Sequence, residues 1–202
     1  MIHAVVDASV AVKWFLPPTE AEQGHDEAVT LLKEVRSGHI ALREPPHWLA
    51  EVAADQKVPL LLMHIRGTPE TMQADPHYDS LFSEILHSLR QSIQRAESAG
   101  VDPDQIVIDP GIGFGKTLEH NLFILKHLSE FRILGKPILL GTSRKSFIGK
   151  VLHTEELSER LEGTLASIAI AVLNGAHIVR CHDVLQAKKA IAVADAIRLA
   201  GN

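Results

Sequence analysis

The sequence predicts an α/β protein with about six parallel strands in an open, doubly wound sheet. Short apolar runs alternate with amphipathic segments along all 202 residues, which is the order expected for strands joined by helical crossovers. Aromatic residues are only 4% of a chain that is 46% hydrophobic, so we expect an aliphatic core, as is typical of parallel sheets. The net charge of −5 argues against general attraction to nucleic acid or to an anionic membrane.

The apolar runs are the predicted strands, and the amphipathic segments between them are the predicted helices. We expect strands at residues 3–9, 39–42, 58–65, 105–109, 137–143 and 176–182. We expect helices at residues 21–38, 47–56, about 78–100, 118–135, 155–174 and 184–200. Glycines at positions 38, 100 and 135 end three of these helices, since glycine accepts the backbone conformation that follows a helix.

Two further features bound the class of protein. Cys181 is the sole cysteine of the sequence, so no disulfide framework is expected. The first ten residues have no basic start and Asp7 interrupts their apolar run, so we do not expect a signal peptide, and no run of 18 apolar residues occurs. We therefore expect a cytoplasmic protein with neither membrane nor nucleic-acid partners.

The glycine-rich stretch DPGIGFGKTLEHNL, residues 109–122, resembles a P-loop at its end but fails at its start. The first glycine of such a loop would be residue 110, which is Pro110, and proline has no N–H to offer a phosphate. We expect instead a tight turn after a strand. Polar residues at predicted strand ends mark the candidate site, because ligands of parallel sheets bind there. They are Asp7, His64, Arg66, Asp109, Ser143 to Lys145 and Arg180 to Asp183.

Five stretches in one order resemble dihydropteroate synthase. They are VPLLLMHIRGTPETMQ, IVIDPGIGFGKTLEHNL, ILLGTSRKSFIG, ERLEGT and AHIVRCHDV. The resemblance runs from about residue 55 to residue 202 and implies the last four βα units of that family's (β/α)8 barrel. The first half of the barrel supplies further pterin and metal contacts, and we find no counterpart for them in residues 1–53.

The resemblance also implies roles for individual residues. Asp109 would accept hydrogen bonds from the pterin and Lys145 would donate to it. Further pterin contacts would come from Met63, Phe114 and Gly141; Arg180 and His182 would hold the pyrophosphate, and Ser143 would help place p-aminobenzoate. Simpler explanations stand beside these roles: solvated Arg144 and Lys145, a helix cap at Asp183, an ion pair of Arg180 with Asp109, and a buried apolar Cys181.

Residues 1–53 are similar instead to the start of a PIN-domain nuclease of the VapC type. VVDASVAVKWFLPPTEAEQ and HIALREPPHWLAEVA carry this resemblance, which implies Asp7 and Glu51 as a weak, vestigial site for Mg²⁺. The simpler alternatives are a strand-end residue at Asp7 and a surface helix residue at Glu51. Because no linker separates the two segments, we infer an engineered chimera or, as an alternative, a rare natural fusion.

These inferences give one merged α/β domain, with a PIN-like fragment at 1–53 and a half-barrel at 54–202. The predicted strand order is 2-1-3-4-5-6; the alternative is a curved, barrel-like sheet completed by a homodimer. Because each parent site is cut in two, we expect a non-catalytic chimera with a residual site for a pterin or a small anion, and no cofactor. An active dihydropteroate synthase and a Mg²⁺-dependent ribonuclease are the two alternatives.

Overall fold

The computed structural model describes residues 47–68 and 71–201, and the predicted strands at 3–9 and 39–42 lie outside them. The helices are α1 (His47–Gln56), α2 (Leu81–Ser98), α3 (Leu118–Lys126), α4 (Ser146–Leu152), α5 (Leu161–Leu173) and α6 (Val184–Leu199). The strands are β1 (Leu60–Met63), β2 (Ile106–Asp109), β3 (Leu139–Leu140) and β4 (Ile178–Val179). Short 3-10 helices cover Pro103–Gln105, Leu128–Leu134 and Ser158–Arg160. Within the described ranges, no helix combines the length and the apolar character needed to cross a bilayer.

The strands follow one another in chain order, as predicted for the last four. β1 and β2 are neighbours in one sheet, and β3 and β4 form a second, parallel pair in which Leu139 lies opposite Ile178. An isolated parallel bridge between Ile108 and Ile138 connects β2 to the residue that precedes β3. The α/β class and the parallel strands are therefore confirmed. The full order 2-1-3-4-5-6 depends on strands before residue 47 and stays a prediction.

The first of two compact units contains, among the described residues, 47–62 and 90–107. Its core is aliphatic: Ala50, Ala53, Leu60, Leu62, Ile93, Ala96, Val101 and Ile106 are all buried. Two backbone hydrogen bonds end α1, from Lys57 to Ala54 at 3.3 Å and from Val58 to Ala53 at 3.1 Å. The Gln105 amide then donates to the Lys57 carbonyl at 2.9 Å, which ties the turn after α1 to the turn before β2.

The second unit contains residues 63–68, 71–89 and 108–201 of the described chain. Its core combines strand residues such as Ile108, Ile138 and Leu140 with the helical residues Ile124 and Ile168, all almost fully buried. A small aromatic group adds to it, since the Phe82 ring lies 5.0 Å from that of Phe131 and 5.5 Å from that of Phe123. Aromatic pairs at such distances add about 1 kcal/mol beyond the apolar area that they bury.

The predicted helix at 118–135 is wrong in its length. α3 ends at Lys126, and the chain continues as a 3-10 helix that Gly135 ends in the left-handed conformation, with a φ of 66°. The cause is tertiary: the Asn174 side chain, just after α5, donates to the Leu125 carbonyl at 2.8 Å and satisfies a group that another helical turn would use. The predicted strands are also shorter than expected, because their ends turn into the loops that carry polar residues.

Candidate active site

The turn after β2 is shaped by glycines that no other residue could replace at the same backbone position. Gly111 has a φ of 75°, and a Cβ atom built on it would lie 1.9 Å from the His64 carbonyl oxygen. Gly115 has a φ of 64°, and its Cβ would lie 2.4 Å from the Arg66 carbonyl oxygen. The turn therefore packs directly against the backbone that follows β1, and a side chain at either position would separate them.

The backbone N–H groups of this turn are used within the protein. The Gly111 N–H donates to the Asp109 carboxylate at 2.7 Å, and the Gly113 N–H donates to the Asn121 side chain at 2.7 Å. A P-loop would instead direct such groups at a phosphate. The geometry thus agrees with the prediction of a strand-to-helix turn, and Thr117 caps α3 by accepting a hydrogen bond from the His120 N–H at 3.2 Å.

Asp109, at the end of β2, is the buried centre of the site, with only 1% of its surface exposed. Burial raises the pKa of its carboxyl group, while the Gly111 N–H and the cations of Lys145, Arg180 and Lys116 act in the opposite direction. One buried carboxylate therefore lies among three basic side chains. Such a group offers hydrogen-bond acceptors at its centre and attracts an anion at its edge.

Lys145 follows β3 and reaches toward the glycine turn. Its ammonium group donates to the Ile112 carbonyl and lies 4.4 Å from the centre of the Phe114 ring, a cation–π arrangement. Burial lowers the pKa of Lys145 to about 8, with Arg180 acting in the same direction and Asp109 opposing it. Lys145 is thus not the solvated residue of the simpler explanation, and it titrates close to neutral pH.

Arg180 and His182 follow β4 and are exposed at the rim of the same group. The Arg180 guanidinium lies over Gly141, where an added Cβ would approach its Nε atom to 3.2 Å. The His182 ring lies 2.8 Å from the Ser143 hydroxyl, and the His182 N–H donates to the same oxygen at 3.2 Å. The structure therefore brings the loops after β3 and β4 together, as the positions of these residues at strand ends predict.

Arg144 and Asp183 correct two of the simpler explanations. Asp183 precedes α6 but makes no capping hydrogen bond with its side chain. It instead accepts two hydrogen bonds from Arg144, at 2.7 and 3.1 Å, which join the loops after β3 and β4. This bidentate pair lowers the pKa of Asp183 and raises that of Arg144, chiefly through the side-chain hydrogen bonds.

Two residues of the site were given no role by sequence reasoning. Lys116 is 3% exposed, and its ammonium group lies 3.0 Å from the Nδ1 atom of His64 and 3.0 Å from the Phe114 carbonyl oxygen. His64 is 6% exposed, and burial, with the cations of Lys116 and Arg66, lowers its pKa to about 3. Their positions in the sequence could have indicated a role in the site, because His64 lies at a strand end and Lys116 ends the glycine turn.

The predicted metal residues do not form a site in the described part of the chain. Asp7 lies outside the described residues, and Glu51 is exposed on α1. Across residues 47–68 and 71–201, no group of three or more histidine, cysteine, aspartate or glutamate side chains could hold a metal ion. Met63, predicted to contact the pterin, is half-buried at the end of β1, and Phe114 is buried in the glycine turn.

Comparison with known proteins identifies relatives for most of the chain. The family model described as pterin binding enzyme matches residues 28–182. The dihydropteroate synthase of Escherichia coli K12 is 43% identical over 82% of this chain and 56% of its own length. That of Haemophilus influenzae is 38% identical over 91% of this chain and 67% of its own. The chain thus spans about half to two thirds of the length of these relatives.

Solved structures give the same result. A Yersinia pestis dihydropteroate synthase with a sulfonamide drug matches with a TM-score of 0.73 and 39% identity, over 75% of this chain and 55% of that one. The Thermus thermophilus enzyme in complex with 4-aminobenzoate matches with a TM-score of 0.71 and 38% identity, over 75% and 62% of the two chains. At this identity the likeness includes sequence as well as fold.

These matches correct the functional expectation drawn from the sequence. A non-catalytic chimera is wrong as the main interpretation, because the likeness to an enzyme covers most of the chain rather than a fragment of it. The family match begins at residue 28, inside the segment compared with a PIN-domain nuclease, and it gives that comparison no support. The division of the chain at residue 53 has no independent test and stays a prediction.

Proposed function

The chain belongs to the pterin binding enzyme family, and on that premise we propose that it is a transferase of the dihydropteroate synthase type. It would join p-aminobenzoate to a dihydropterin that carries a pyrophosphate leaving group. The observation that supports this most directly is the buried Asp109 carboxylate surrounded by Lys145, Arg180 and Lys116. The substrates are a neutral, hydrogen-bonding pterin ring and a strongly anionic pyrophosphate, and this group of side chains suits both.

In this proposal the pterin is held between Asp109 and Lys145. The ionised Asp109 carboxylate accepts hydrogen bonds from the ring N–H and amino groups, and Lys145 donates to the ring carbonyl or a ring nitrogen. Met63, Phe114 and Gly141 provide the surfaces against which the ring packs. Gly141 lies against the Arg180 guanidinium, since an added Cβ would approach its Nε atom to 3.2 Å, and this places its backbone beside the residue proposed to hold the pyrophosphate.

The reaction is a displacement at the CH2 group of the pterin. The amine nitrogen of p-aminobenzoate forms a C–N bond there, the C–O bond to pyrophosphate breaks, and the amine releases a proton. Negative charge develops on the leaving group, and Arg180 and His182 stabilise it from the loop after β4. Ser143 lies against His182 and would help to place p-aminobenzoate; a relative is known in complex with 4-aminobenzoate. We propose no tightly bound cofactor for this step, and any Mg²⁺ bound by this chain would be held weakly.

A turnover assay tests this proposal. The wild-type chain, incubated with the dihydropterin pyrophosphate and p-aminobenzoate, is expected to form dihydropteroate. Asp109→Asn should lower kcat/KM by about 100-fold or more, because the amide presents a donor where the pterin needs an acceptor. Asp104→Asn, an exposed change in the first unit, is the matched control and should retain the wild-type rate. Wild-type product no higher than background, or an unaffected Asp109→Asn variant, would reject the proposal.

A further inference from the structure

Lys116 occupies a buried position beside the glycine turn that follows Asp109. Its ammonium group contacts the Nδ1 atom of His64 and the carbonyl of Phe114, both at 3.0 Å. It also lies beside Gly111, since a Cβ on that glycine would be 3.3 Å from the Lys116 nitrogen. Lys116 therefore connects the end of β1 to the glycine turn, at the residue whose N–H orients Asp109.

The histidine at this contact behaves as a neutral acceptor. The pKa of His64 is lowered to about 3 by burial and by neighbouring cations, so its ring is uncharged at neutral pH. With Lys116 donating to Nδ1, the ring proton is assigned to Nε2. A lysine held by a neutral imidazole and a carbonyl keeps a fixed position, and in the described part of the chain no salt bridge is recorded for Lys116. Its charge is thus available to Asp109.

Several charged groups surround Lys116 and the His64 ring: Glu84 and Arg66 act on His64, and Lys116 acts on His120. Asp109 is influenced by the cations of Lys145, Arg180 and Lys116. Lys116 in turn is influenced by Asp109, Lys145 and Arg66, and burial lowers its pKa to about 7. Lys145 and Arg180 would be committed to the substrate under the function proposed above, and Lys116 is too deeply buried to take that role.

We propose that Lys116 is a positioning residue whose buried ammonium group, anchored by His64 and the Phe114 carbonyl, keeps the Asp109 carboxylate ionised for pterin recognition. The naming of the pterin rests on the proposed function, whereas the effect on Asp109 does not. Lys116, with a pKa of about 7, is mostly protonated below that pH, and its charge then favours the ionised form of the Asp109 carboxyl group. An opposite charge a few ångströms away typically lowers a carboxyl pKa by about 1–3 units.

A packing role for Lys116 predicts a different result. Losing contacts would weaken pterin binding by the same factor at every pH and would leave the titration of Asp109 in place. Losing the charge moves the acid limb of the affinity profile to higher pH. Lys116→Gln removes the charge and retains hydrogen-bonding groups, Lys116→Met removes both, and Lys116→Arg retains the charge. Lys188→Gln, at an exposed position of α6, is the matched control.

The Asp109 carboxyl signal is followed by carbon NMR against pH in each folded variant without ligand, with Asp109→Asn used to assign it. We expect a midpoint about one unit higher in Lys116→Gln and Lys116→Met, and an unchanged midpoint in Lys116→Arg and Lys188→Gln. The affinity for the dihydropterin pyrophosphate, measured by calorimetry across the same range, should show the same shift of its acid limb.

The two arms separate this inference from the proposed function. Equal midpoints in wild type, Lys116→Gln and Lys116→Met overturn the inference, whatever the ligand affinity. A midpoint that moves as far in Lys116→Arg as in Lys116→Gln overturns it as well. A shifted midpoint in a protein that binds no dihydropterin pyrophosphate supports the charge effect on Asp109 and rejects the proposed function instead.

Discussion

Replacing Gly111 by alanine is the sharpest test of how the glycine turn holds the site. The residue has a φ of 75°, a conformation that costs a side-chain-bearing residue about 1–2 kcal/mol. The new Cβ would also lie 1.9 Å from the His64 carbonyl oxygen, whereas real Cβ contacts are at least 3.0 Å. The turn or the end of β1 must therefore move by about 1.1 Å within a closely packed region.

The conformational cost and the cost of this movement can be added to give the order of magnitude of the total loss of stability. Overpacking that shifts a buried backbone costs about 1–3 kcal/mol, so Gly111→Ala should lower the free energy of unfolding by about 2–5 kcal/mol. The same movement displaces the N–H that orients the Asp109 carboxylate. We therefore expect pterin affinity to fall even under conditions in which the variant remains folded.

Gly135 provides a matched control, because its φ of 66° is similar and nothing lies within 4 Å of the Cβ position. Gly135→Ala isolates the conformational cost and should lower the unfolding free energy by about 1–2 kcal/mol. Urea unfolding followed by circular dichroism measures both variants against wild type. Equal losses in the two variants would refute the reasoning, because the close approach to His64 would then contribute nothing.

Three further outcomes are expected. The pKa of Lys116 is about 7 in the folded chain and 10.5 in the unfolded chain, so the unfolded chain binds more protons between these two pH values. The free energy of unfolding of the wild type should therefore rise with pH across this window relative to that of Lys116→Met. Urea titrations at several pH values measure this, and parallel stability curves for the two proteins would contradict the shift. If the proposed function is correct, binding of the dihydropterin pyrophosphate should raise the pKa of Lys145 above its value of about 8, so that protons are taken up at pH 8. Calorimetry in buffers of different ionisation enthalpy measures this uptake, and a binding heat that is independent of the buffer would contradict it. Phe131→Ala should lower the free energy of unfolding by about 3–5 kcal/mol because Phe131 is fully buried. Phe123→Ala should lower it much less, because that side chain is 48% exposed, and similar losses for the two variants in thermal melts would contradict the packing described.

The alternation of apolar and amphipathic segments was sufficient to predict the class of fold and most of the later elements, although α4 was not predicted. Each of the strands predicted around residues 60, 107, 140 and 179 is present, and each contains consecutive apolar residues of the sequence. Their lengths were overestimated. The apolar run around residue 140 is longer than the two-residue strand, and periodicity cannot show where a backbone leaves its neighbour.

The positions of the site residues were predictable, but their partners were not. Asp109, Lys145 and Arg180 follow strands, and parallel strands place such residues at one edge of the sheet. The ion pair between Arg144 and Asp183 joins residues 39 positions apart, so no local pattern indicates it. The contact between Lys116 and His64 joins residues 52 positions apart, and no local sequence pattern indicates it either.

By itself, then, the sequence determined the order of the strands after residue 47, the helices between them other than α4, and the residue types at the strand ends. Apolar periodicity and glycine placement are local properties, and they are readable without a fold. Only the tertiary structure decided that Asp109 is buried among cations and that Lys116 is fixed by a neutral histidine. Burial and charge proximity arise when distant segments pack together, and they control how strongly each side chain holds its proton.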